Sequence, residues 1–189
     1  MKILTLPVGE LATNCYIVFQ EDREDALVID PGAESGRIKA ALGGRQVAAV
    51  LLTHGHFDHT GALGAFADTP IYIHQMDSVM LEDSHYSFDS LAGDERKRPQ
   101  ATDFFKEGQQ LSLAGLDIQV LHTPGHTRGS VCLKMGEDLF TGDTLFDGDY
   151  GRTDLPGGSE EQMRASLRRL FTLHGCRFYP GHGPGNVIK

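Results

Sequence analysis

VAAVLLTHGHFDHTG, residues 47–61, places a run of apolar residues directly before a cluster of histidines. Residues 47–52 are continuously apolar and have the length of a strand, which predicts a strand that is buried on both faces. The cluster that follows holds three histidines and one aspartate in six consecutive positions, from His54 to His59. Because imidazole groups add little to the stability of a packed core, this density indicates a functional site at the end of the strand.

The composition is that of an ordinary globular protein. The chain has 189 residues, of which 40% are apolar and 23% are charged, and its formal charge is −9. This length suits one domain with a sizeable core, covering residues 1–189. The acidic balance argues against nucleic-acid binding, and the basic segment 96–98 lies beside acidic residues, which predicts a solvated loop.

The cysteines and the N-terminal segment bear on the cellular location. The three cysteines are widely separated and show no C-x-x-C spacing, which indicates neither a disulfide framework nor a cysteine-based zinc site. The first ten residues, MKILTLPVGE, contain no apolar stretch of signal-peptide length, and no apolar run approaches membrane-spanning length. We therefore expect a cytoplasmic protein that does not bind membranes.

Strand-like and helix-like patterns alternate in both halves of the chain. In the first half, strands are predicted at 3–6, 15–19, 26–29, 47–52 and 71–73, and helices at 35–42, 60–66 and 75–81. The polar stretch 82–102 is predicted to be a loop or an insertion. In the second half, strands are predicted at 110–113, 118–121, 131–134, 139–141 and 177–179, with a helix that Ser159 caps. Strands followed by a helix in each half favour two sheets packed face to face with helices outside, a layered α/β arrangement.

Polar residues recur just past the predicted strands, where α/β proteins tend to build sites. Besides the first cluster, His126, Asp143 and His182 each follow a strand in a glycine-containing turn. Imidazole and carboxylate groups that arrive from several strand ends can converge on one cavity, as a metal site requires. The candidate ligands are His54, His56, Asp58, His59, His126, Asp143 and His182. The remaining histidines, His74, His85, His122 and His174, are predicted to be core or surface residues.

Seven candidate ligands are too many for one four-coordinate zinc ion, but they suit two metal ions. Nitrogen-rich ligands with hard carboxylates favour Zn²⁺, with iron or manganese as alternatives. Two ions roughly 3.5–4 Å apart would share a hydroxide, activate water at neutral pH and stabilise both oxygens of a developing intermediate. A carboxylate shared between the ions is the natural role for Asp143.

These residues, in this order, resemble the metallo-β-lactamase fold superfamily, and the match covers nearly the whole chain. The motifs are H-x-H-x-D-H at 54–59, PGHT at 124–127, GD at 142–143 and GHG at 181–183. The resemblance implies a four-layer αββα sandwich with the metals at one edge. It further implies that His54, His56 and His126 bind the first metal. On the same pattern Asp58, His59 and His182 bind the second metal, and Asp143 bridges the two.

Within this superfamily, GDTLF at 142–146 followed by GRTD at 151–154 looks like the hydroxyacylglutathione hydrolases (glyoxalase II) of the short bacterial type. The resemblance implies hydrolysis of a thioester such as S-lactoylglutathione, with Asp58 orienting or deprotonating the nucleophile. Arg152 stands where that family places a cationic glutathione contact; an ion pair with Asp154 or Asp149 is the alternative. Full-length members carry a C-terminal helical domain that supplies much of the glutathione site, whereas this chain ends seven residues after His182.

Other functions stay open at this point. A persulfide dioxygenase, a relative with a similar GRTD segment that uses one iron, would need only His54, His126 and Asp143. A β-lactamase is disfavoured because its bridging position commonly carries cysteine or serine, and a ribonuclease because the chain is acidic. A non-enzymatic metal-binding module would need no open cleft. We therefore predict a metal-dependent hydrolase that acts on a small-molecule thioester, with a glutathione conjugate as one candidate substrate.

Overall fold

Two six-stranded sheets form from consecutive parts of the chain in the computed structural model, which describes residues 1–88 and 98–189. The strands of the first sheet lie side by side in chain order: β1 (Lys2–Val8), β2 (Thr13–Phe19), β3 (Asp25–Ile29), β4 (Gln46–Leu51), β5 (Ile71–His74) and β6 (Asp103–Phe105). The second sheet is likewise ordered: β7 (Gln110–Leu113), β8 (Leu116–His122), β9 (Val131–Met135), β10 (Asp138–Gly142), β11 (Arg177–Pro180) and β12 (Asn186–Val187).

Helices connect and cover the strands. The described α-helices are α1 (Ser35–Leu42), α2 (Phe57–Thr60), α3 (Val79–Glu82), α4 (Ser84–Ser87) and α5 (Glu160–Leu170), and short 3₁₀ turns cover Leu63–Phe66 and Gln75–Asp77. The Ser159 side chain accepts a hydrogen bond from the backbone N–H of Gln162 at the start of α5, which confirms the predicted cap. No helix in the described ranges is long and apolar enough to cross a membrane.

Strand direction decides which edge of the sandwich receives the loops. β3, β4, β5 and β6 pair in parallel, so their C-terminal ends meet at one edge of the first sheet. In the second sheet, β10 pairs in parallel with β11, and the antiparallel β9 lies between β8 and β10. β8, β10 and β11 therefore also end at one common edge.

Apolar side chains fill three layers, which explains why the strands have apolar residues on both faces. Between the sheets, Leu27 and Leu51 of the first sheet lie in one cluster with Val120 and Leu133 of the second. Val28 points to the outer side of the first sheet, in a cluster with residues of α1. A third cluster joins the second sheet to α5 through residues that include Leu139 and Leu170. The predicted αββα sandwich is confirmed.

Several local predictions were wrong. The predicted helix at 60–66 is divided into α2 and a 3₁₀ turn, and the one at 75–81 into a 3₁₀ turn and α3. The predicted loop 82–102 contains α4, whose first turn is capped by the Asp83 carboxylate. The strands β6 and β12 were missed because three or two residues give no periodic signal. Residues 89–97, with most of the basic segment, lie outside the described residues.

We expect alanine to have opposite effects at the two ends of α1. Gly36 has open space in the first turn, so Gly36→Ala should raise the free energy of unfolding by about 0.4–1 kcal/mol. Gly43 caps the C-terminus with a φ of 61°, a conformation that a Cβ disfavours, so Gly43→Ala should lower it by about 1 kcal/mol. Denaturant unfolding at constant m-value measures both, and shifts of equal sign would contradict the cap geometry.

Candidate metal centre

All seven predicted ligands lie at the edge of the sandwich where β4, β8, β10 and β11 end. Their ligand atoms form overlapping groups in which every atom lies within 4.8 Å of the others: His54, His56 and His126; His54, His59 and Asp143; and Asp58, His59 and His182. We call the first of these the three-histidine group and the last the Asp58 group. The structure thus brings the predicted residues together, and their role as metal ligands stays a prediction.

Buried atoms without hydrogen bonds test whether a metal fits this cluster. Within the described part of the chain, Nε2 of His54 and of His59 and Oδ1 of Asp143 are buried at this edge and have no hydrogen-bond partner. A buried polar atom left unpaired costs about 1–3 kcal/mol. Divalent metal ions bind the lone pairs of such nitrogen and oxygen atoms, so the donor set fits a metal centre.

Asp30 organises two of these histidines from behind. Its carboxylate accepts hydrogen bonds from the backbone N–H of Thr53 (2.8 Å) and from Thr53 Oγ1 (2.7 Å), and it lies 2.9 Å from His59 Nδ1. Thr53 Oγ1 also lies 3.1 Å from His54 Nδ1. Holding the far ring nitrogen in this way turns Nε2 towards the centre, as is common for metal-ligating histidines. Sequence analysis missed Asp30, although it follows the buried strand β3 just as the ligands follow theirs.

Backbone carbonyls hold two further imidazoles. His126 Nδ1 donates to the carbonyl oxygen of Arg152 at 2.8 Å, and His182 Nδ1 donates to that of Leu11 at 3.1 Å. Both rings therefore present Nε2 to the centre. His56 differs, because its Nδ1 lies 2.9 Å from His126 Nε2 and so faces the same space.

The Asp143 carboxylate touches both groups. Its Oδ1 lies 3.4 Å from His59 Nε2, and its Oδ2 lies 3.5 Å from His126 Nε2 and 3.6 Å from His182 Nε2. Gly181 makes this approach possible, since a Cβ there would lie 2.1 Å from Asp143 Oδ1. Burial raises the pKa of Asp143, but His59 and the other imidazoles lower it by a larger amount, so the pKa of this carboxyl is below its ordinary value.

Asp58 is held ionised by its neighbours. Its Oδ2 accepts a hydrogen bond from Thr13 Oγ1 at 2.8 Å and lies 3.2 Å from His182 Nε2 and 3.5 Å from His59 Nε2. Burial opposes ionisation, but the charge of His59 and the hydrogen bonds from His182 and Thr13 hold the pKa of Asp58 well below its usual range. The carboxylate is therefore a hydrogen-bond acceptor at neutral pH.

The buried imidazoles divide into two electrostatic types. Burial, together with the neighbouring imidazoles, lowers the pKa of His56 to about 3 and that of His54 well below its ordinary value. Both are therefore neutral near pH 7, the form that binds metals. Burial also lowers the pKa of His59, but Asp58, Asp143 and Asp30 raise it well above the ordinary value overall.

A cavity of about 450 Å³ opens onto the centre. Its apolar wall consists of Leu11, Phe57, Phe88, Phe146 and Leu155. Arg152 also lines it, but the guanidinium binds the Asp154 carboxylate through Nε and Nη2, each at 2.7 Å. Of the two predicted ion pairs of Arg152, the structure thus has the one with Asp154.

The four histidines predicted to be core or surface residues take no part in the three groups. The rings of His74 and His122 stack on each other with centroids 4.2 Å apart. His174 Nδ1 donates to the backbone carbonyl of Lys189, and His85 is an exposed residue of α4.

The comparison with protein families decides what kind of protein this is. The model of the metallo-beta-lactamase superfamily matches residues 8–182. The chain belongs to the metallo-β-lactamase superfamily. The resemblance predicted from the motifs is thereby confirmed.

Two relatives and two solved structures are similar to this chain over more than nine-tenths of their lengths. A probable metallo-hydrolase, YqgX of Bacillus subtilis, is 35% identical over 97% of this chain and 91% of its own. Hydroxyacylglutathione hydrolase GloC of Haemophilus influenzae is 33% identical over 100% of this chain and 93% of its own. The chain is thus a hydrolase-type superfamily member with a candidate metal centre.

The solved structures share the fold closely. The BLEG-1 B3 metallo-beta-lactamase has a TM-score of 0.92 and 33% identity, covering 99% of this chain and 94% of that one. TTHA1623, solved in a di-iron-bound form, has a TM-score of 0.88 and 36% identity, covering 98% and 94%. A divalent metal centre in this chain is consistent with the di-iron-bound form of the second structure.

We expect Asp30→Asn to weaken metal binding, because the amide has one acceptor oxygen and cannot accept all three hydrogen bonds, from the Thr53 N–H, from Thr53 Oγ1 and from His59 Nδ1. The affinity for Zn²⁺, measured by competition with a chromophoric chelator, should fall about 10- to 100-fold. Asp25→Asn removes the same charge at the opposite end of β3, where the carboxylate is half-buried and pairs with Arg23, and should leave the affinity unchanged. Equal affinities in Asp30→Asn and the unmodified protein would show that this network does not orient the imidazoles.

Proposed function

We propose that this protein hydrolyses thioesters, such as S-lactoylglutathione, at a centre of two divalent metal ions, with Zn²⁺ as the first candidate. The observation that carries the proposal is the position of the Asp143 carboxylate, in contact with both the three-histidine group and the Asp58 group. The three-histidine group would hold one ion, the Asp58 group the other, and Asp143 both.

The metal ions and the protein would divide the chemistry between them. When bound, two such ions lower the pKa of water and stabilise negative charge on the attacked carbonyl oxygen. Asp58 would orient the attacking water by accepting a hydrogen bond from it, because the carboxylate is ionised and the Thr13 hydroxyl fixes its position. The departing thiol has an ordinary pKa near 8.5, so it leaves as the thiolate without a strong acid.

The cavity supports a small, partly apolar substrate. Its five apolar wall residues would cover the acyl part and displace water from the carbonyl, which strengthens the electrostatic contacts there. Arg152 is the one arginine or lysine side chain that lines this cavity among the described residues, and we propose it as a contact for an anionic thiol such as glutathione. That contact would compete with the Asp154 carboxylate. A cytoplasmic location stays a prediction.

Elemental analysis of the purified protein, paired with enzyme assays on the same sample, tests this proposal. We expect two metal ions per chain and hydrolysis of S-lactoylglutathione. The persulfide dioxygenase alternative needs His54, His126 and Asp143 but leaves the Asp58 group without a role; one iron per chain with persulfide-dependent oxygen uptake would establish it. Because one similar structure is a metallo-beta-lactamase, a β-lactam is assayed too, and faster turnover of that compound would overturn the thioesterase.

We expect His56→Ala and Asp143→Ala each to abolish thioester hydrolysis and to lower the bound metal, because each removes a ligand atom from the centre. Circular dichroism should show the fold intact, since both residues lie beyond the strand ends. His174→Ala, which removes an exposed imidazole just past the C-terminal end of α5, is the matched control and should keep full activity. Full activity in either metal-depleted ligand variant would refute the metal mechanism.

We expect the Arg152–Asp154 pair to act on the thiol part of the substrate. Arg152→Ala should raise KM for S-lactoylglutathione about two- to fivefold, the size of an exposed ion pair, with a smaller effect on kcat. Asp154→Asn should lower the same KM, because it frees the guanidinium. Neither change should affect a thioester of a neutral thiol with the same acyl group. Asp117→Asn, an exposed aspartate at the start of β8, controls for net charge. An unchanged KM in Arg152→Ala would remove Arg152 from the substrate site.

A further inference from the structure

Asp77 is a buried carboxylate outside the candidate ligand set. It ends the 3₁₀ turn that follows β5, and none of its surface is exposed to solvent. Its Oδ2 accepts a hydrogen bond from Thr127 Oγ1 at 2.6 Å, and its Oδ1 accepts one from the backbone N–H of Gly129 at 2.7 Å. The backbone of Gly55 packs against the same residue, since a Cβ on Gly55 would lie 3.0 Å from the Asp77 carbonyl oxygen. A carboxylate is rarely buried so completely, and here neutral donors surround it.

These neighbours of Asp77 belong to the two loops that supply the three-histidine group. Gly55 lies between His54 and His56, and Thr127 follows His126 directly. Asp77 therefore contacts both segments, through packing of its backbone against Gly55 and through hydrogen bonds from Thr127 and Gly129 to its carboxylate, although His56 and His126 are 70 positions apart in sequence. The connection is close, because a Cβ on Gly129 would lie 2.6 Å from Asp77 Oδ1.

A hydrogen-bonded chain fixes the direction of this contact. The Thr127 backbone N–H donates to Ser130 Oγ at 3.1 Å, and the two hydroxyl oxygens lie 2.7 Å apart. With its oxygen facing the Ser130 hydroxyl, Thr127 directs its own proton to Asp77. The loop that carries His126 is thus bound to Asp77 at two points, the side chain of Thr127 and the backbone of Gly129.

The Asp58 group is held by other contacts. Asp58 is bound by Thr13 Oγ1, His59 faces Asp30, and His182 donates to the Leu11 carbonyl. No hydrogen bond of the described residues joins Asp77 to this group. Removal of Asp77 should therefore disturb one half of the centre and leave the other half in place.

We propose that Asp77 is a positioning residue that sets the separation of the His54–His56 and His126 loops and so creates the binding site for one of the two metal ions. This inference rests on the proposed two-metal function. For stability alone the carboxylate is costly: burial raises its pKa above the ordinary value, although Thr127 and Gly129 oppose the shift. The hydrogen bonds that this carboxylate accepts from the His126 loop explain why a charged group is buried between the two loops.

Zinc titration of the full-length protein tests the inference without relying on activity. In Asp77→Ala, we expect bound Zn²⁺ to fall from two ions to one per chain, with the affinity of the weakened site lowered at least about 10-fold. Asp77→Asn keeps one acceptor oxygen and should give an intermediate affinity. Thr13→Val is the reciprocal control, because it removes a contact to the Asp58 group and should weaken the other ion instead.

A double variant assigns the lost ion. Asp77→Ala combined with His56→Ala should bind as much Zn²⁺ as His56→Ala alone, because both changes affect the same site. Combined with His182→Ala, it should lose both ions. If Asp77→Ala does not fold, as judged by circular dichroism, Thr127→Val removes the same contact from the opposite side and replaces it in each experiment.

Two results would overturn the inference. One is two bound Zn²⁺ ions with unchanged affinity in the Asp77 or Thr127 variants. The other is less bound Zn²⁺ in the double variant than in His56→Ala alone. Failure of the proposed function looks different, since the unmodified protein would then bind fewer than two ions, and the inference would fall with it. If the protein binds two ions but does not hydrolyse the thioester, the proposed substrate is rejected. The Zn²⁺ affinities of the Asp77 and Thr127 variants then still decide whether Asp77 is a positioning residue.

Discussion

The contact of the Asp143 carboxylate with imidazoles on both sides is the interaction on which the arrangement of the site depends. Burying a carboxylate costs free energy unless opposite charge or hydrogen bonds compensate for it. Here the compensation comes from His59, His126 and His182, which belong to three different parts of the chain. Several buried lone pairs stay unused within the described residues, so the cluster is built for a partner that accepts them.

The sheet topology is what makes this crowding possible. Parallel pairing of β3, β4 and β5 brings Asp30, the first histidine loop and Asp77 to one edge of the first sheet. In the second sheet the common direction of β8, β10 and β11 brings the other ligands to the same place. The apolar layer between the sheets holds the two edges together, and because this core is closely packed it keeps the side chains of the site in fixed positions.

Around the candidate ligands lies a second set of residues that orient them. Asp30 and Thr53 hold His54 and His59, backbone carbonyls hold His126 and His182, and Asp77 joins the loops. Rings fixed in this way lose little freedom when an ion binds, which favours tight binding. The cavity beyond the centre is less specific: mostly apolar, with one guanidinium already paired to a carboxylate. On the proposed function, reactivity and substrate preference would depend on different residues.

The sequence by itself determined the superfamily, the sandwich and the seven residues that meet at its edge. It could do so because the apolar strands are long enough to show their period and because each polar residue follows a strand directly. Only the tertiary structure placed Asp30 and Asp77 in contact with the candidate ligands and the loops that carry them, paired Arg152 with Asp154, and revealed short elements such as β6 and α4. Those features depend on hydrogen bonds and packing between segments far apart in the chain, for which a local pattern carries no signal.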